Sequence, residues 1–510
     1  VSISTPNWTT SKFVEFFTRS PLRFWITLII VFALGRLATW GYPFDSDHWI
    51  FYYVGHNWIV DGGQLYVDAW DHKPPLIFLY NGVMAALLGD NIVLHRIWFT
   101  LFAIVDTVLF YFVTKRFMPQ LLATIRSTVD PQRAIQLTLL LYVFIRNLSQ
   151  FASNGNTTEN LGLIFLLAMI LCYLKFSDNR SWGWIALAGF FAANLFWVKG
   201  NLILLGGVVG LLLLIHGWKK PHLVWHVIAF IAPILVVSAL WLGYFAAQGT
   251  FQDFMVASFS FSAKYASSAW AGKVSANILL IVITAAMLVP ALIFFAVFLR
   301  DVKTQYRTQA YQVTVLSMLV GLALIAAVGS FYSYYLLIIM PFITIVMMYG
   351  LFRMTSFKKV TKVLLTLIFI GTIVVNGLIS LRFLVNNYTG VTKQEAIEYT
   401  EAAQYVYEHT QPGDKVFAYD YGATFYELAG RQSASRFISA SHLLLDYRDN
   451  FGFGFNDIFL AELEENQPPY IVLNDRSTDL YFTNEPVANY ITENYEPVKK
   501  FGQIEVLQRK

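Results

Sequence analysis

Residues 22–41 read LRFWITLIIVFALGRLATWG, twenty positions that carry only two charges, Arg23 at the start and Arg36 near the end. At about 1.5 Å per helical residue, a run of this length spans the hydrocarbon core of a bilayer. It does not read as a cleaved leader, because Arg36 interrupts the apolar stretch and no small-residue cleavage pattern follows. Comparable runs recur at 92–114, 134–148, 159–176, 182–198, 201–217, 223–247, 276–299, 310–330, 332–352 and 361–385, giving about eleven spans. The stretch Pro75–Leu88 is apolar but short for a crossing, and suits a re-entrant or interfacial helix.

The whole chain agrees with that reading. Of its 510 residues 56% are hydrophobic, 17% aromatic and 13% charged, whereas a soluble globular chain has about 25% charged residues. The single cysteine, Cys172, excludes a disulfide framework and a multi-cysteine zinc site.

Charge divides the chain in two. Residues 388–510 hold 10 Lys+Arg and 19 Asp+Glu, a net of −9, while the rest of the chain is net basic. This predicts a membrane domain over 1–386 and an acidic domain over 387–510. The basic clusters lie at Lys12/Arg19/Arg23, Lys115/Arg116/Arg126/Arg133, Lys175/Arg180, Lys219/Lys220, Arg300/Lys303/Arg307 and Arg353/Lys358/Lys359/Lys362. With eleven spans all of them fall on one side. Cationic loops stay in the cytosol, so the expected topology has a cytoplasmic amino terminus and an extracytoplasmic acidic domain. The absence of eukaryotic targeting signals points to a bacterial plasma (inner) membrane.

The unusual chemistry falls in the outer loops. Gly41-Tyr-Pro-Phe-Asp45-Ser-Asp47-His48-Trp49 leads into a helix expected to end near Gly62-Gly63, whose Trp49, Tyr52, Tyr53 and Trp58 suit the headgroup layer. Asp45, Ser46 and Asp47 are all good N-caps. One cap is enough, so at least one carboxylate is left for acid–base or metal work. Further on, Leu65-Tyr66-Val67-Asp68-Ala69-Trp70-Asp71-His72-Lys73-Pro74-Pro75-Leu76 presents a cation on a stiff, extended turn. Lys73 is either a snorkelling anchor or an electrostatic partner for a lipid phosphate.

An acid after the first span, a Gly-containing connector, and then Tyr66-x-Asp68-x-Trp70-Asp71-x-Lys73-Pro74-Pro75-Leu76 resemble the polytopic glycosyltransferases of the GT-C class. The nearest likeness is to the protein O-mannosyltransferase and aminoarabinose lipid A transferase superfamily. The resemblance implies a polytopic α-helical fold with an outer carboxy-terminal α/β domain, a sugar donor linked to polyprenyl phosphate, and inverting transfer to an acceptor hydroxyl at the outer leaflet. The acceptor could be a lipid, a glycan or a protein. Many members carry Asp-Glu where this chain has Asp47-His48, so the base is Asp47 or Asp45. Relatives often bring a second acid from the loop that here holds Glu159, which alternatively is a first-turn carboxylate favoured by the helix dipole. Phe331-Tyr332-Ser333-Tyr334-Tyr335 resembles the aromatic start of a late span that lines the donor cavity.

The residues accommodate that chemistry. A carboxylate within reach of the hydroxyl acts as general base, and a departing phosphate needs fixed positive charge. The cations available are Lys73, Arg36, Arg96 and Lys199, the second and fourth near the outer ends of spans, where ionisable groups are functional candidates. Tyr66, Asp68, Asp71, His72, Tyr334 and Tyr335 are candidate substrate contacts. No cofactor is required by the sequence, although Asp47, Asp71 and Glu159 could hold a divalent cation through oxygen ligands. The spacing of His48, His56 and His72 gives no preformed zinc site, and hydrogen bonding at the interface suits them better. The loop 249–275, with Lys264 and Tyr265, is expected to order around substrate.

In the acidic domain, helices are expected near 392–410, 423–430 and 457–465, with strands at Lys415–Tyr419, Tyr470–Leu473 and a pair around 496–508. No Gly-rich loop precedes a helix, which disfavours nucleotide, and nothing indicates nucleic acid. This domain is expected to cap the membrane site or contact acceptor without a catalytic residue of its own. Two alternatives remain. A transporter or flippase of lipid-linked sugars predicts two similar halves with midplane charges, and a polysaccharide polymerase or ligase lacks the Lys-Pro-Pro loop.

Overall fold

A computed structural model describes residues 20–40, 46–125, 129–272, 278–328, 332–354, 357–389, 391–419, 422–474 and 484–510. Every expected span is a helix. Eight helices among the described residues are long and apolar enough to cross a membrane: Ile92–Thr124, Thr158–Asn179, Gly200–Gly217, Leu223–Gln248, Ile281–Leu299, Gln309–Ala327, Ser333–Arg353 and Lys359–Asn386. Helices Pro21–Trp40, Pro131–Arg146 and Trp182–Val198 occupy the other three expected positions. The short helix Pro75–Leu88 forms as expected, with Pro75 in its first turn, where a missing N–H does no harm.

The chain groups into two compact units. The first comprises Val1–Tyr42, Arg96–Ala239 and Gly272–Leu384; the second comprises Pro43–His95, Leu240–Ala271 and Val385–Lys510. In the first unit the centre is Met340–Arg353, whose Phe342, Ile343, Ile345, Val346 and Met347 are all fully buried. A 3-10 turn over Ser333–Ile339 leads into it. Leu22, Ile29, Leu34 and Leu235 remain exposed, an outward apolar face that suits lipid.

In the second unit, helices Ser46–Ile59 and Pro75–Leu88 pack against each other backbone to backbone. A Cβ added at Gly55 would lie 2.5 Å from Phe78 O and 2.6 Å from Gly82 N. Only glycine permits this approach, and it clamps both ends of the segment 60–74. The aromatic residues of the first helix were expected in the headgroup layer, but Trp49, Tyr52 and Trp58 are buried in protein. Tyr52 donates to Asp90 at 2.5 Å and Trp58 Nε1 donates to Tyr244 Oη at 2.8 Å, so polar partners within the fold satisfy their tips. The stretch expected to be an irregular loop is helical through Phe251–Met255, a π-helical turn at Val256–Phe261 and Ser262–Gly272. Buried Phe254 and Phe261 fasten it to Tyr66 and Trp70.

The carboxy-terminal part of this unit is an α/β layer with strands β1 Lys415–Ala418, β2 Gln432–Ser433, β3 Tyr470–Asn474, β4 Tyr495–Phe501 and β5 Ile504–Arg509, in the order β2-β1-β3-β5-β4. β1 runs parallel to β2 and β3, whereas β5 pairs antiparallel with β3 and β4. β3 is buried at every position, as expected of an unbroken apolar strand at the centre of a covered sheet. Helices Val391–Glu408, Gly422–Ala429 and Phe455–Asn466 lie at the expected positions. Helices Ala440–Arg448 and Glu485–Asn494 and strand β2 were not anticipated.

Candidate functional site

Within the second unit the Tyr66–Lys73 segment is held by its own polar groups. Tyr66 is fully buried with φ +70°, a conformation non-glycine residues rarely adopt. It is fixed there because its hydroxyl donates to Lys73 O at 2.8 Å and accepts from Ser258 Oγ at 3.2 Å. Asp71 Oδ1 accepts the Lys73 backbone N–H at 3.0 Å. Asp68 is exposed and accepts from Gln64 N at 2.6 Å, closing a tight turn. Trp70 N donates to Arg436 O at 2.8 Å, and its ring lies among Phe261, Phe437 and Phe455.

Three side chains converge beside this segment. Asp71 Oδ2 is 3.6 Å from His72 Nδ1 and 3.6 Å from His442 Nε2, and the two imidazole nitrogens are 3.1 Å apart. Lys73 Nζ lies 2.6 Å from His72 Nε2. Burial alone would push Asp71 up, but His72 and Lys73 outweigh it and hold the carboxyl well below the usual carboxylate range. Burial pushes the His442 imidazole down to about 3, so it is neutral at working pH. Asp71, His72 and His442 place one ligand atom each within 4.8 Å of one another, a set able to hold a divalent cation. It contains one of the three carboxylates expected for that task. His442, from the unanticipated helix Ala440–Arg448, had no signal in a reading that sought histidines near one another in sequence.

Asp47 is half-buried in the first turn of Ser46–Ile59. Asp45 lies outside the described residues, as does Phe331.

The remaining candidates belong to the first unit. Glu159 Oε1 accepts from Lys199 Nζ at 2.5 Å and Oε2 accepts from Thr158 Oγ1 at 3.0 Å. Lys199 Nζ also lies 4.2 Å from the centre of the Tyr335 ring, which stacks edge-on with Tyr334 at 4.8 Å. Arg96 donates to Thr39 O at 3.3 Å. Arg36 is buried, and its Nε and Nη1 have no hydrogen-bond partner among the described residues. Sequence reasoning passed over Asp106 and Arg146, which form a fully buried ion pair. Arg146 Nε is 2.9 Å and Nη2 2.5 Å from Asp106 Oδ2, Tyr142 donates to Oδ1 at 2.9 Å, and Nη2 also reaches Asn160 Oδ1 at 3.1 Å. The signal existed, since single charges inside apolar runs are rarely tolerated without a role or a partner.

A polytopic helical body with a Lys-Pro-Pro loop and a small carboxy-terminal α/β layer has the fold of the GT-C membrane glycosyltransferases. No family model and no curated protein matches the chain. Among solved structures it is similar to ArnT from Cupriavidus metallidurans in the apo state, with a TM-score of 0.59, and to the same protein bound to undecaprenyl phosphate, with a TM-score of 0.53. In both comparisons the identity is 12%, and the match covers 96% of this chain and 98% of ArnT. That likeness establishes the fold across nearly the whole length.

Proposed function

We propose that this protein is an inverting glycosyltransferase that moves a sugar from a polyprenyl-phosphate donor to an acceptor hydroxyl at the extracytoplasmic face of the plasma membrane. The observation that carries the reading is Lys73. Its backbone is pinned by Asp71 and Tyr66, Pro74 and Pro75 stiffen the turn, and its ammonium lies 2.6 Å from His72 Nε2. An ammonium held on so stiff a turn is a fixed positive charge for an anion. ArnT, of the same fold, binds undecaprenyl phosphate.

In this reading Asp47 takes the proton of the acceptor hydroxyl. The acceptor oxygen forms a bond to the anomeric carbon as the bond from that carbon to the phosphate oxygen breaks. The electron pair leaves on the lipid phosphate, where Lys73 meets the developing charge. Arg36 and Arg96 are additional phosphate cations, and Lys199 and Glu159, ion-paired with each other at 2.5 Å, serve as a further cation and the second acid when that pair opens. Tyr66, Asp68, Asp71, His72, Tyr334 and Tyr335 are proposed contacts around the donor and acceptor. If a divalent cation takes part, Asp71, His72 and His442 hold it.

The test is transfer from a synthetic polyprenyl-phosphate sugar by purified protein. Asp47→Asn is expected to lose at least about 100-fold in kcat, in the range of general-base contributions, and Lys73→Ala to lose donor affinity as well as rate. Normal turnover by Asp47→Asn would discard it as the base. Lipid translocation without any transfer product would discard the enzyme reading in favour of a flippase. Topology is tested by replacing Cys172, the sole cysteine, and labelling single cysteines placed at 62 and 219. The first is expected to react from outside and the second only from the cytosol.

A further inference from the structure

Two arginines of the first unit lie side by side in its interior. A Cβ added at Gly35 would lie 2.5 Å from Asn147 Cβ, so the residue before Arg36 meets the residue after Arg146. Both guanidiniums are withdrawn from solvent, at 4% and 1% exposure, and Arg36 is close enough to Arg146 and Asp106 to feel both charges. The loop from Ala152 to Asn160 runs past the pair. Asn160 Oδ1 accepts from Arg146 Nη2 at 3.1 Å, and its Nδ2 donates back to Ala152 O at 3.3 Å. Gly155, at φ +97°, brings the loop against Arg36, where a Cβ would lie 3.4 Å from Arg36 Nη2 and 2.8 Å from Phe99 Cβ.

The carboxylates of this region are already engaged. Asp106 Oδ2 accepts from Nε and Nη2 of Arg146, and Oδ1 accepts the Tyr142 hydroxyl. Glu159, at the end of the loop, is matched by Lys199. What remains is a set of donors: Arg36 Nε and Nη1, Arg146 Nη1 and Asn154 Nδ2 are all buried and have no partner among the described residues. Asn154 is 1% exposed, and its amide orientation is fixed because Oδ1 accepts from Asn156 N at 2.8 Å. Two neutral amide oxygens in the same stretch, Asn147 Oδ1 and Gln150 Oε1, are also unpaired, and neither can balance a charge. Buried polar groups are normally hydrogen-bonded, and a buried cation without a counter-charge works against folding. Four donors and one uncompensated positive charge call for an anion rich in acceptors.

We propose that Arg36, Arg146 and Asn154 form an oxyanion site that takes a phosphate mono- or diester, with Arg146 held in place by Asp106 and Tyr142. The inference rests on the reading of Arg36 as a phosphate cation and adds to it Arg146 and Asn154, which that reading leaves out. A guanidinium presents parallel N–H groups that match two phosphate oxygens at once. Asp106 occupies one edge of Arg146 and leaves Nη1 for the ligand, so the same residue is both neutralised and available.

The experiment follows the thermal midpoint of the full-length purified protein in detergent with undecaprenyl phosphate, undecaprenol or inorganic phosphate, together with the affinity for each. A ligand that binds only the folded state raises the midpoint. Undecaprenyl phosphate is expected to raise it and undecaprenol to leave it unchanged. A response to undecaprenyl phosphate alone makes the source a lipid headgroup, and a response to inorganic phosphate as well makes it a site for the free anion. Arg36→Met is expected to raise the ligand-free midpoint, because it removes an unpaired buried charge, and to weaken phosphate binding at least about tenfold. Arg146→Lys keeps a charge for Asp106 but loses the fork, and Asn154→Ala removes one neutral donor; each is expected to weaken binding about fivefold. A lower ligand-free midpoint with unchanged affinity in Arg36→Met, an equal response to undecaprenol, or wild-type affinity in both Arg146→Lys and Asn154→Ala would each overturn the inference. A folded wild type that binds no phosphate overturns the donor reading as well, whereas binding that depends on Lys73 and on none of these three residues overturns this inference alone.

Discussion

The Glu159 carboxylate and the Lys199 ammonium meet at 2.5 Å, with the carboxylate buried and the ammonium over the Tyr335 ring. Each is a candidate for a separate catalytic task, yet here each neutralises the other. Removing Lys199 alone strands a buried carboxylate, which costs about 3–5 kcal/mol, whereas removing both charges avoids that penalty. Lys199→Met is therefore expected to lower the thermal midpoint of the purified protein well below that of the Glu159→Gln/Lys199→Met double variant. Equal midpoints would show that the two charges are independent.

The contact between Gly55 and Gly82 makes a second prediction. A methyl group at Gly55 meets backbone atoms, which cannot rotate away. Gly55→Ala should separate the two helices that clamp residues 60–74, at a cost of about 1–3 kcal/mol, and reduce folded yield and transfer activity together. Gly207→Ala is the control, because a Cβ there meets nothing within 4 Å in a helix interior. It should be neutral or slightly stabilising.

Glu427 gives the pH dependence. Burial first, and then the charges of Asp90 and Asp61, raise its carboxyl to about 8. An acid raised from an unfolded value of about 4.3 binds more protons folded than unfolded between those limits. Its favourable contribution is complete at and below the lower value and is lost as pH rises towards 8. Glu427→Gln should match the wild type near pH 4.5 and become progressively more stable than it up to pH 8. Thermal midpoints taken across that range check the sign, and a difference that stays constant would contradict it.

Trp70 ties the motif segment to the carboxy-terminal layer through its N–H to Arg436 and its ring contacts with Phe437 and Phe455. Trp70→Ala opens a cavity worth about 3–5 kcal/mol. Limited proteolysis should then cut faster between residues 436 and 455, with cleavage in helix Met340–Arg353 unchanged.

The spans were legible because twenty apolar residues are a local signal that needs no knowledge of the fold. So were helix Val391–Glu408, with its one apolar face, and β3, an unbroken apolar run. Helix Ala440–Arg448 was not, since it has only nine residues and its N-cap Ser439 makes no side-chain cap bond. The aromatic residues of 49–58 misled for a different reason. A ring with a polar tip suits a headgroup layer or a core with one acceptor, and only Asp90 and Tyr244 decide between them. Asp106 and Arg146 were readable as intramembrane charges, but their pairing was not.

The sequence by itself determined a bilayer-spanning chain, an acidic terminal domain and a lysine stiffened by two prolines, because composition and local stereochemistry act over a few residues. What surrounds the histidine beside that lysine was decided only by the tertiary structure. His72 and His442 are 370 positions apart, and nothing local distinguishes His442 among nine histidines. A hydrogen bond depends on where the backbone brings two atoms, and that path is set by the packing of Trp70, Phe261 and Phe455 rather than by any residue near His442 in the chain.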